Sequence, residues 1–347
     1  MAIAEAGGWL PFDRFMALAL YAPGLGYYAR GHRLFGAGFG DGSDFVTAPE
    51  MSPHFGAALA VQIRQALAAT DSDALWEFGA GSGALAEQLL DALGPAVGGY
   101  HVVEVSGALG ARQRQRLARF GDLVQWHAEL PDRIEGVVIG NEVLDALPVQ
   151  LLAWDGLVWY ERGVAVDGAG FDWSDRPTAL RPPLDPGFPP GAVTEVHAQA
   201  EAFVRSLAER LGRGAMFFID YGFPESEYYH TQRHGGTLMC HRGHRADAAA
   251  LLDIGLKDIT AHVNFSGIAL AAQDSGLDVI GYTSQARFLL NCGLLDRLAD
   301  ADLRERNAAH RLIAEHEMGE LFKVIAFARG AAFSPLGFAA GDRTHRL

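Results

Sequence analysis

The chain has 347 residues, 49% hydrophobic and 20% charged, which is enough to bury a large core and is not the composition of a disordered or fibrous protein. Acidic residues outnumber basic ones 42 to 28, and the formal charge of -14 disfavours a nucleic-acid partner, because such a partner requires a basic surface. The two cysteines, Cys240 and Cys292, are too few for a disulfide framework and favour a reducing compartment.

The first 70 residues are predicted to form a helical and lid segment (residues 1–70). A helix is expected over residues 13–20, and a long loop with seven glycines follows over residues 21–43. A second helix is expected over residues 55–68, because Ser52 and Pro53 form a typical N-cap and first helical position.

The N-terminal sequence lacks the pattern of a signal or transit peptide, and no stretch of the chain reaches the roughly 18 apolar residues of a membrane span. We therefore expect a cytoplasmic protein with no membrane insertion. A mitochondrial location is expected only for a eukaryotic source whose transit peptide is missing.

Residues 71–347 are predicted to form one α/β core. Short apolar runs alternate with amphipathic stretches from residue 74 onward, a pattern typical of parallel strands joined by helices. Strands are expected at residues 74–78, 100–105, 123–127 and 136–140, with helices at 84–93 and 108–120. The second of these helices carries Arg112, Arg114, Arg116 and Arg119, whose spacing predicts a solvated face.

The second half of the core is predicted to carry an insertion and a substrate-side loop. Around residues 149–194 the hydrophobic period becomes two and Asp155-Gly156 marks a hairpin turn, which indicates an inserted β element. A helix at 195–211 and a strand at 215–220 follow, and residues 221–247 are expected to be a long loop over one face of the sheet. After this loop we expect a helix at 264–273, strands at 277–282 and 322–328, and further helices to about residue 317.

A glycine-rich turn ends the first predicted strand of this core and opens its first predicted helix. It consists of Glu77, Phe78, Gly79, Ala80, Gly81, Ser82 and Gly83, and glycines in such a turn let a ligand approach the backbone. The spacing also fits a loose dinucleotide-binding fingerprint.

Two acids favour S-adenosylmethionine over a dinucleotide. A carboxylate at Glu77 repels a pyrophosphate but attracts the ammonium of a methionine-type ligand. Glu104, 21 residues after Gly83, matches the interval at which an acid binds ribose hydroxyls. The alternative is an exposed acid at a strand end beside a turn that serves only packing.

Polar residues after the third and fourth strands complete the predicted site. Ala128 and Glu129 follow the third strand, where an adenine is expected by position alone. Asn141, Glu142 and Asp145 follow the fourth strand and are expected to project toward the reacting methyl. Two neighbouring carboxylates suit an arginine substrate, because they match the planar donor fork of a guanidinium and hold its free nitrogen in line with the sulfonium. The alternative is that Glu142 starts a helix and Asp145 lies in a turn.

A histidine-rich segment raises the alternative of a metal site. His230, His234, Cys240, His241 and His244 have spacings compatible with a metal site. The segment also contains a Gly-Gly pair and two arginines, and it shows no clear helix that would align the ligands. We therefore expect a solvated loop and no metal.

Several short motifs recur in the order known from one enzyme family. They are FMALALY at residues 15–21, GYY at 26–28, DFVTAPE at 44–50, VEVS at 103–106, NEVLDALP at 141–148, FIDYG at 218–222, DITAHVNF at 258–265 and EMGELFKV at 317–324. Together with the glycine turn they resemble the MidA-like family of methyltransferases, whose mitochondrial members assist assembly of respiratory complex I. The resemblance covers nearly the whole chain.

The resemblance implies a Rossmann-like α/β fold, with a methyltransferase sheet of seven strands and helices on both faces, and S-adenosylmethionine as the methyl donor. For the mitochondrial relatives it implies symmetric dimethylation of a protein arginine, which strengthens the catalytic interpretation of Glu142 and Asp145. It also implies that Thr47, Pro49 and Glu50 help to close over the cofactor.

The matched VEVS motif adds Val105, beside Glu104, to the cofactor-binding set. Two departures from the family pattern stand out. Ala80 and Ser82 replace the usual proline and arginine of the glycine turn, and residues 283–286 depart from the family's Thr-Gln-Gly stretch near the expected substrate edge.

Three functions remain open on the sequence. A protein arginine methyltransferase is favoured over a small-molecule methyltransferase and over an assembly chaperone with a vestigial methyltransferase fold. The complete set of turn glycines with Glu77 and Glu104 disfavours the chaperone. An open groove between residues 21–43 and 221–247 would suit a protein substrate, whereas a sealed pocket there would suit a metabolite. A homodimer is compatible with either substrate.

Overall fold

The computed structural model describes residues 2–30, 44, 46–168 and 170–347. Its N-terminal elements are α1 (Ala2–Glu5), β1 (Trp9–Pro11), α2 (Phe12–Tyr21), α3 (Ala48–Met51) and α4 (Pro53–Thr70). The two predicted helices are confirmed as α2 and α4, and the Ser52 hydroxyl caps α4 by accepting the backbone N–H of His54. Most of the predicted glycine-rich loop, residues 31–43, lies outside the described residues.

Strands and helices alternate through the first half of the core. They are β2 (Ala74–Phe78), α5 (Ala84–Leu93), β3 (Gly99–Val103), α6 (Gly107–Arg116), β4 (Val124–His127) and β5 (Ile134–Asn141). All four predicted strands and both predicted helices are confirmed here, although α6 ends at Arg116 and a 3-10 turn takes up the rest of its predicted length.

The inserted β element is also confirmed and consists of β6 (Gln150–Trp154), β7 (Trp159–Asp167), β8 (Gly170–Pro177) and β9 (Val193–Val196). Its first hairpin turns at Asp155, whose Oδ1 accepts the backbone N–H groups of Leu157 and Val158, both at 2.7 Å. β1 pairs antiparallel with β7, so the N-terminal segment adds a strand to this sheet.

The second half of the core supplies the remaining elements. They are α7 (Ala198–Arg210), β10 (Leu211–Phe223), α8 (Glu225–Tyr228), β11 (Met239–Arg242), β12 (Arg245–Asp247), β13 (Asp258–Thr260), β14 (Val263–Asn264), α9 (Phe265–Asp274), β15 (Asp278–Ser284), α10 (Gln285–Asn291), α11 (Leu294–Arg297), α12 (Leu303–Ile313) and β16 (Phe322–Arg329).

The helix predicted at 195–211 is confirmed as α7, although it begins at Ala198 because Glu195 pairs in β9 with Leu151. The prediction of a loop at 221–247 was wrong. This segment contains the end of β10, α8, β11 and β12, and β11 pairs with β12 and β13 in a separate three-stranded sheet. Strands of three or four residues with charged side chains carry too little apolar periodicity to be predicted from sequence.

The central sheet has the order β15-β16-β10-β5-β2-β3-β4, and the short β14 pairs with the end of β10 as an eighth strand. β16 is antiparallel to both of its neighbours, and the other neighbours on this path are parallel. The chain order reverses between β2 and β5. In an open α/β sheet this reversal creates a crevice at the carboxyl ends of the strands, where ligands bind.

Helices cover both faces of the central sheet, as predicted. Alternate residues of β10 point to opposite sides, so that Phe217 packs in a core with α4 and α5 while Phe218 packs in a core with α7 and α9. Each such buried aromatic stabilises the fold by about 1.5–3 kcal/mol. Within the described part of the chain, no helix combines the length and apolar character needed to cross a membrane.

Candidate active site

A cavity of about 840 Å³ opens near the carboxyl ends of β2, β3, β5 and β10, beside the point where the strand order reverses. Most of the predicted site residues line it: Thr47, Pro49, Glu77, Gly79, Ala80, Gly81, Glu104, Val105, Asn141, Glu142 and Asp145. Glu50, Gly83, Ala128 and Glu129 do not. The cavity thus unites the acids and the glycine turn from four separate parts of the sequence.

The glycine turn presents its backbone to the cavity. Gly79, Gly81 and Gly83 have φ angles of +65°, +53° and +82°, a left-handed conformation that side chains disfavour. A Cβ on Gly79 would lie 2.8 Å from Cγ2 of Val143, whereas a Cβ on Gly83 would meet nothing closer than 3.6 Å. Gly83 precedes α5 and lies outside the cavity, so Gly79 and Gly81 are the glycines of this turn that face a ligand.

Glu77, the last but one residue of β2, is a buried carboxylate, 2% exposed, at the wall of the cavity. Its Oε2 accepts the hydroxyl of Tyr100 at 2.7 Å, the single hydrogen bond to this carboxylate among the described residues. Burial raises the pKa of Glu77 to about 7, against the lowering effect of the Tyr100 hydroxyl. A cationic ligand group would compensate the buried charge.

Glu104 follows β3 and is held by two donors. The backbone N–H of Ser106 donates to Oε1 at 2.8 Å and the Gln113 amide donates to Oε2 at 2.9 Å. Burial raises the pKa of Glu104, and these two hydrogen bonds oppose the rise. One donor on each oxygen leaves further lone pairs for ligand hydroxyls.

Gln113, on α6, was not predicted as a site residue. Its buried amide also donates to the backbone oxygen of Gly81 at 3.0 Å and accepts the indole N–H of Trp126 at 3.2 Å. It therefore ties the glycine turn to Glu104. The sequence signal was its position four residues after the apolar Leu109, on the inward face of the helix.

The segment of Thr47, Pro49 and Glu50 lies against the glycine turn. The Gln88 amide donates to the Pro49 backbone oxygen at 2.7 Å, and Thr47 and Pro49 line the cavity. Glu50 instead reaches Ser82 of the turn, whose hydroxyl donates to its carboxylate.

Arg116 joins this contact from α6. Its Nη1 donates to Glu50 Oε1 at 2.8 Å and to Ser82 Oγ at 2.9 Å, and its Nε donates to Glu87 at 2.9 Å. The solvated face predicted for the arginines of this helix is therefore wrong for Arg116, whose side chain is 33% exposed. The Arg116 guanidinium therefore contacts the position, Ser82, at which the family usually has an arginine.

The predicted adenine residues lie away from the cavity. Ala128 and Glu129 are exposed after β4, and Leu130 lines the cavity in their place. The prediction assigned the loop by position and had no hydrophobic signal to select the inward-facing residue. Val105 lines the cavity but is 75% exposed, so it lies at the rim.

Asn141, Glu142 and Asp145 meet at the end of β5. Glu142 has a φ of +55°, an unusual conformation for a residue with a side chain, and such strain is common at functional sites. The Asp220 Oδ2 atom fixes the turn by accepting the backbone N–H groups of Val143, Leu144 and Asp145 at 3.1, 2.9 and 3.3 Å. This role of Asp220 was not predicted.

The acids of this turn line the cavity and are shielded from solvent, which is costly for a charged carboxylate. Asn141 donates to Glu142 Oε1 at 3.1 Å, and the Tyr221 hydroxyl donates to Asp145 Oδ2. Burial, reinforced by the charge of Asp145, raises the pKa of Glu142 to about 8, and burial raises the pKa of Asp145 to about 6. Asn141 Oδ1 and Asp145 Oδ1 are buried without a hydrogen-bond partner among the described residues, so both remain available to a ligand.

A third carboxylate and two tyrosines complete this part of the cavity, and none was predicted. Asp258 begins β13, is 5% exposed and accepts the Tyr28 hydroxyl at 2.9 Å. Tyr28 stacks on Tyr21 with ring centroids 5.5 Å apart, and Tyr21 donates to the Ala146 backbone oxygen at 2.9 Å. The motifs at residues 15–21, 26–28 and 258–265 contained these residues, but their proximity depends on the tertiary fold.

The described cavity lining contains neither lysine nor arginine. Its two histidines, His241 and His262, have lowered pKa values because of burial, and that of His262 falls to about 4, so both are neutral at pH 7. The described residues hold no group of three or more side chains suited to a metal ion. The cavity is therefore acidic where it is ionised, which suits cationic ligands.

Residues 58–283 match the model of a family described as S-adenosyl-L-methionine-dependent methyltransferases. The chain belongs to this family, the MidA-like methyltransferases. The mitochondrial protein arginine methyltransferase NDUFAF7 of Danio rerio is 30% identical, and the alignment covers 92% of this chain and 83% of that protein. The NDUFAF7 homologue of Caenorhabditis elegans is 27% identical, and the alignment covers 98% of this chain and 89% of that protein.

Solved structures of a COG1565 superfamily protein from Burkholderia thailandensis resemble this MidA-like methyltransferase over its whole length. One, bound to S-adenosylhomocysteine, is 51% identical with a TM-score of 0.96, and the alignment covers 100% of this chain and 94% of that one. The native crystal structure is 50% identical with a TM-score of 0.91 and the same coverage. The methyl donor of the MidA-like enzyme is S-adenosylmethionine.

The residues present in this MidA-like enzyme fit that donor. The turn at Gly79 leaves space only for backbone, so a ligand can approach its N–H groups closely. Glu77 is a buried carboxylate with no cationic partner in the described part of the chain, and Glu104 keeps free lone pairs. When bound, S-adenosylmethionine supplies an electrophilic methyl group on a sulfonium, and the protein's own contribution is to bind and orient the two reactants.

Proposed function

We propose that this MidA-like enzyme methylates the guanidinium group of an arginine in a protein substrate. The observation that carries the proposal is the group of three carboxylates, Glu142, Asp145 and Asp258, which line one cavity with no described lysine or arginine beside them. A guanidinium stays protonated at any physiological pH and presents five N–H donors in a plane, so it can bridge carboxylates that a monodentate ammonium would bind less well.

The roles of the remaining site residues follow from their positions. We propose that Glu77 binds the ammonium of the methionine part and Glu104 the ribose hydroxyls, with Gly79 and Gly81 giving backbone contact. Glu142 and Asp145 hold the guanidinium, and Asn141 accepts one of its N–H groups through the unpartnered Oδ1. In this proposal the attacking nitrogen lies between the substrate acids and the cofactor.

The names of the curated relatives support the arginine substrate, since each is a protein arginine methyltransferase. A metabolite methyltransferase is the second candidate. We keep as predictions a part in complex I assembly, a cytoplasmic location, a homodimer and the lack of a nucleic-acid partner.

The decisive experiment measures methyl transfer from labelled S-adenosylmethionine to peptide pairs that differ only by arginine or lysine, with free arginine as a third acceptor. We expect label on the arginine peptides, with kcat/KM at least about tenfold above that for free arginine, because a protein substrate adds main-chain contacts. The modified residue is identified by mass spectrometry after hydrolysis. Label confined to lysine or to small molecules of a lysate would refute the proposal.

Glu142→Gln tests the acid that carries the proposal. The amide keeps the size of the side chain but loses a charge-assisted contact worth about 1.5–3 kcal/mol, so KM for the arginine peptide should rise about 10- to 150-fold. The matched control is Glu129→Gln, an exposed residue outside the cavity, which should leave KM unchanged. Equal KM values for the two variants would show that Glu142 does not bind the substrate.

A further inference from the structure

Methylation of a guanidinium requires a proton acceptor. The nitrogen–carbon bond forms as the sulfonium–carbon bond breaks, and the bonding electrons of the latter stay on sulfur. The product would carry two positive charges unless the attacking nitrogen also lost one N–H proton. This proton needs a group within hydrogen-bond distance of the reacting nitrogen, and the cavity offers three carboxylates.

We propose that Asp258 accepts the proton that the substrate nitrogen loses on methylation. The inference rests on the proposed arginine substrate and adds a residue with a separate role. Asp258 belongs to β13 of the three-stranded sheet, whereas Glu142 and Asp145 share one turn after β5. Backbone contact joins the two parts, because the N–H of Ala261 donates to the Asp145 backbone oxygen at 3.0 Å.

The other two acids are held from the end of the central sheet. Glu142 accepts the Asn141 amide and Asp145 accepts the Tyr221 hydroxyl, and these donors orient both acids as holders of the fork. Asp258 accepts the hydroxyl of Tyr28, which belongs to the N-terminal segment and not to the end of the central sheet. Asp258 is therefore the acid of the three that is held from outside the turn after β5, which leaves it to take the proton.

Tyr28 links Asp258 to the cofactor side of the cavity. Its backbone oxygen accepts the Ser106 hydroxyl at 2.7 Å, and the backbone N–H of Ser106 donates to Glu104. Asp258 thus lies at the junction between the ribose-binding acid and the substrate acids, where the methyl group is transferred. The transfer leaves Asp258 as a neutral carboxylic acid and the substrate as a singly charged methylguanidinium, so charge and protons balance.

The environment favours proton uptake by Asp258. Burial, together with the charge of Asp145, raises the pKa of Asp258 to about 8, and the Tyr28 hydroxyl opposes this rise. The titratable groups that face Asp258 from the surrounding elements are Tyr21 on α2, Tyr27 and Tyr28 after it, Asp44, Glu142, Asp145, and Cys240 and His241 on β11.

The test compares Asp258→Asn with wild type by steady-state kinetics on an arginine peptide that the wild type methylates. The asparagine still accepts the Tyr28 hydroxyl but cannot take the proton. We expect kcat to fall about 100-fold or more while KM changes less than about threefold, and the rise of kcat with pH to disappear. The control is Asp253→Asn, an exposed acid that precedes β13 in the chain, which should keep wild-type kinetics.

Tyr28→Phe gives a second readout that does not depend on the stability of Asp258→Asn. Loss of its hydroxyl removes a hydrogen bond to the charged carboxylate, so the rising limb of the kcat profile should move to higher pH and activity should recover there. A kcat for Asp258→Asn within about threefold of wild type, or an unmoved limb in Tyr28→Phe, would overturn the role of Asp258. A wild type that transfers no methyl to arginine would instead refute the proposed function.

Discussion

Gly79→Ala is the sharpest test of the cofactor site, and Gly83→Ala is its matched control. Both glycines have positive φ angles, so alanine at either position should destabilise the fold by about 1–2 kcal/mol. Only Gly79 faces the cavity, and only its Cβ would come within 2.8 Å of Val143 Cγ2. Overpacking of this kind costs a further 1–3 kcal/mol or so, which puts the total loss for Gly79→Ala at roughly 2–5 kcal/mol.

The two variants should differ most in cofactor affinity. Relief of the contact with Val143 must move the turn or the residues that follow β5, and a shift there costs hydrogen bonds to the ligand. We expect S-adenosylhomocysteine, titrated calorimetrically, to bind Gly79→Ala at least about tenfold more weakly than wild type, which is 1.4 kcal/mol, and Gly83→Ala within about threefold. Urea unfolding measures the stability term separately. Equal affinities for the two alanine variants would refute this account of the turn.

Three further outcomes follow from the same geometry. Arg116→Ala should weaken S-adenosylhomocysteine binding about 3- to 10-fold, since Glu50 and the glycine turn lose their common partner, whereas Arg119→Ala, at an exposed position in the 3-10 turn after α6, should leave calorimetric affinity unchanged. Gln113→Leu should lower that affinity about tenfold, because the donor that orients Glu104 is lost; an unchanged Kd would contradict this role. The raised pKa of Asp258, about 8 against an ordinary 3.8, means that the folded state holds a proton which the unfolded chain releases, so the free energy of unfolding falls as pH rises through this range. Asp258→Asn lacks this loss, and its unfolding free energy relative to wild type should increase between pH 5 and pH 8 in urea titrations; a constant difference would contradict the assignment.

Local signals explain what the sequence predicted well. The cap at Ser52, the glycine turn before α5 and the apolar runs of β2 to β5 are each specified by residues close together in the chain, and all of these elements have nearly the predicted bounds. Glu142 and Asp145 were located because acids that follow a parallel strand must lie at its carboxyl end.

Long-range contacts explain why other site residues could not be predicted from the sequence. Asp258 reaches the cavity because β13 pairs with β11, a strand too short and too polar to predict. Gln113 reaches Glu104 only once α6 packs beside the glycine turn. The same limit applies to Ala128 and Glu129, which stay a prediction: the choice between three successive loop residues depends on how the loop turns, and of the three only Leu130 lines the cavity.

The pairing of β1 with β7 sets an order of events during biosynthesis. Trp9 lies opposite Ala165, so β1 has no partner until the ribosome has synthesised β7. Tyr21 and Tyr28, which follow β1 closely, cannot take up their places beside Asp258 before that partner and then β13 have emerged. The catalytic chamber is consequently among the last parts to mature, and a nascent chain that stalls before residue 258 would hold a Rossmann-like half with no wall on its substrate side.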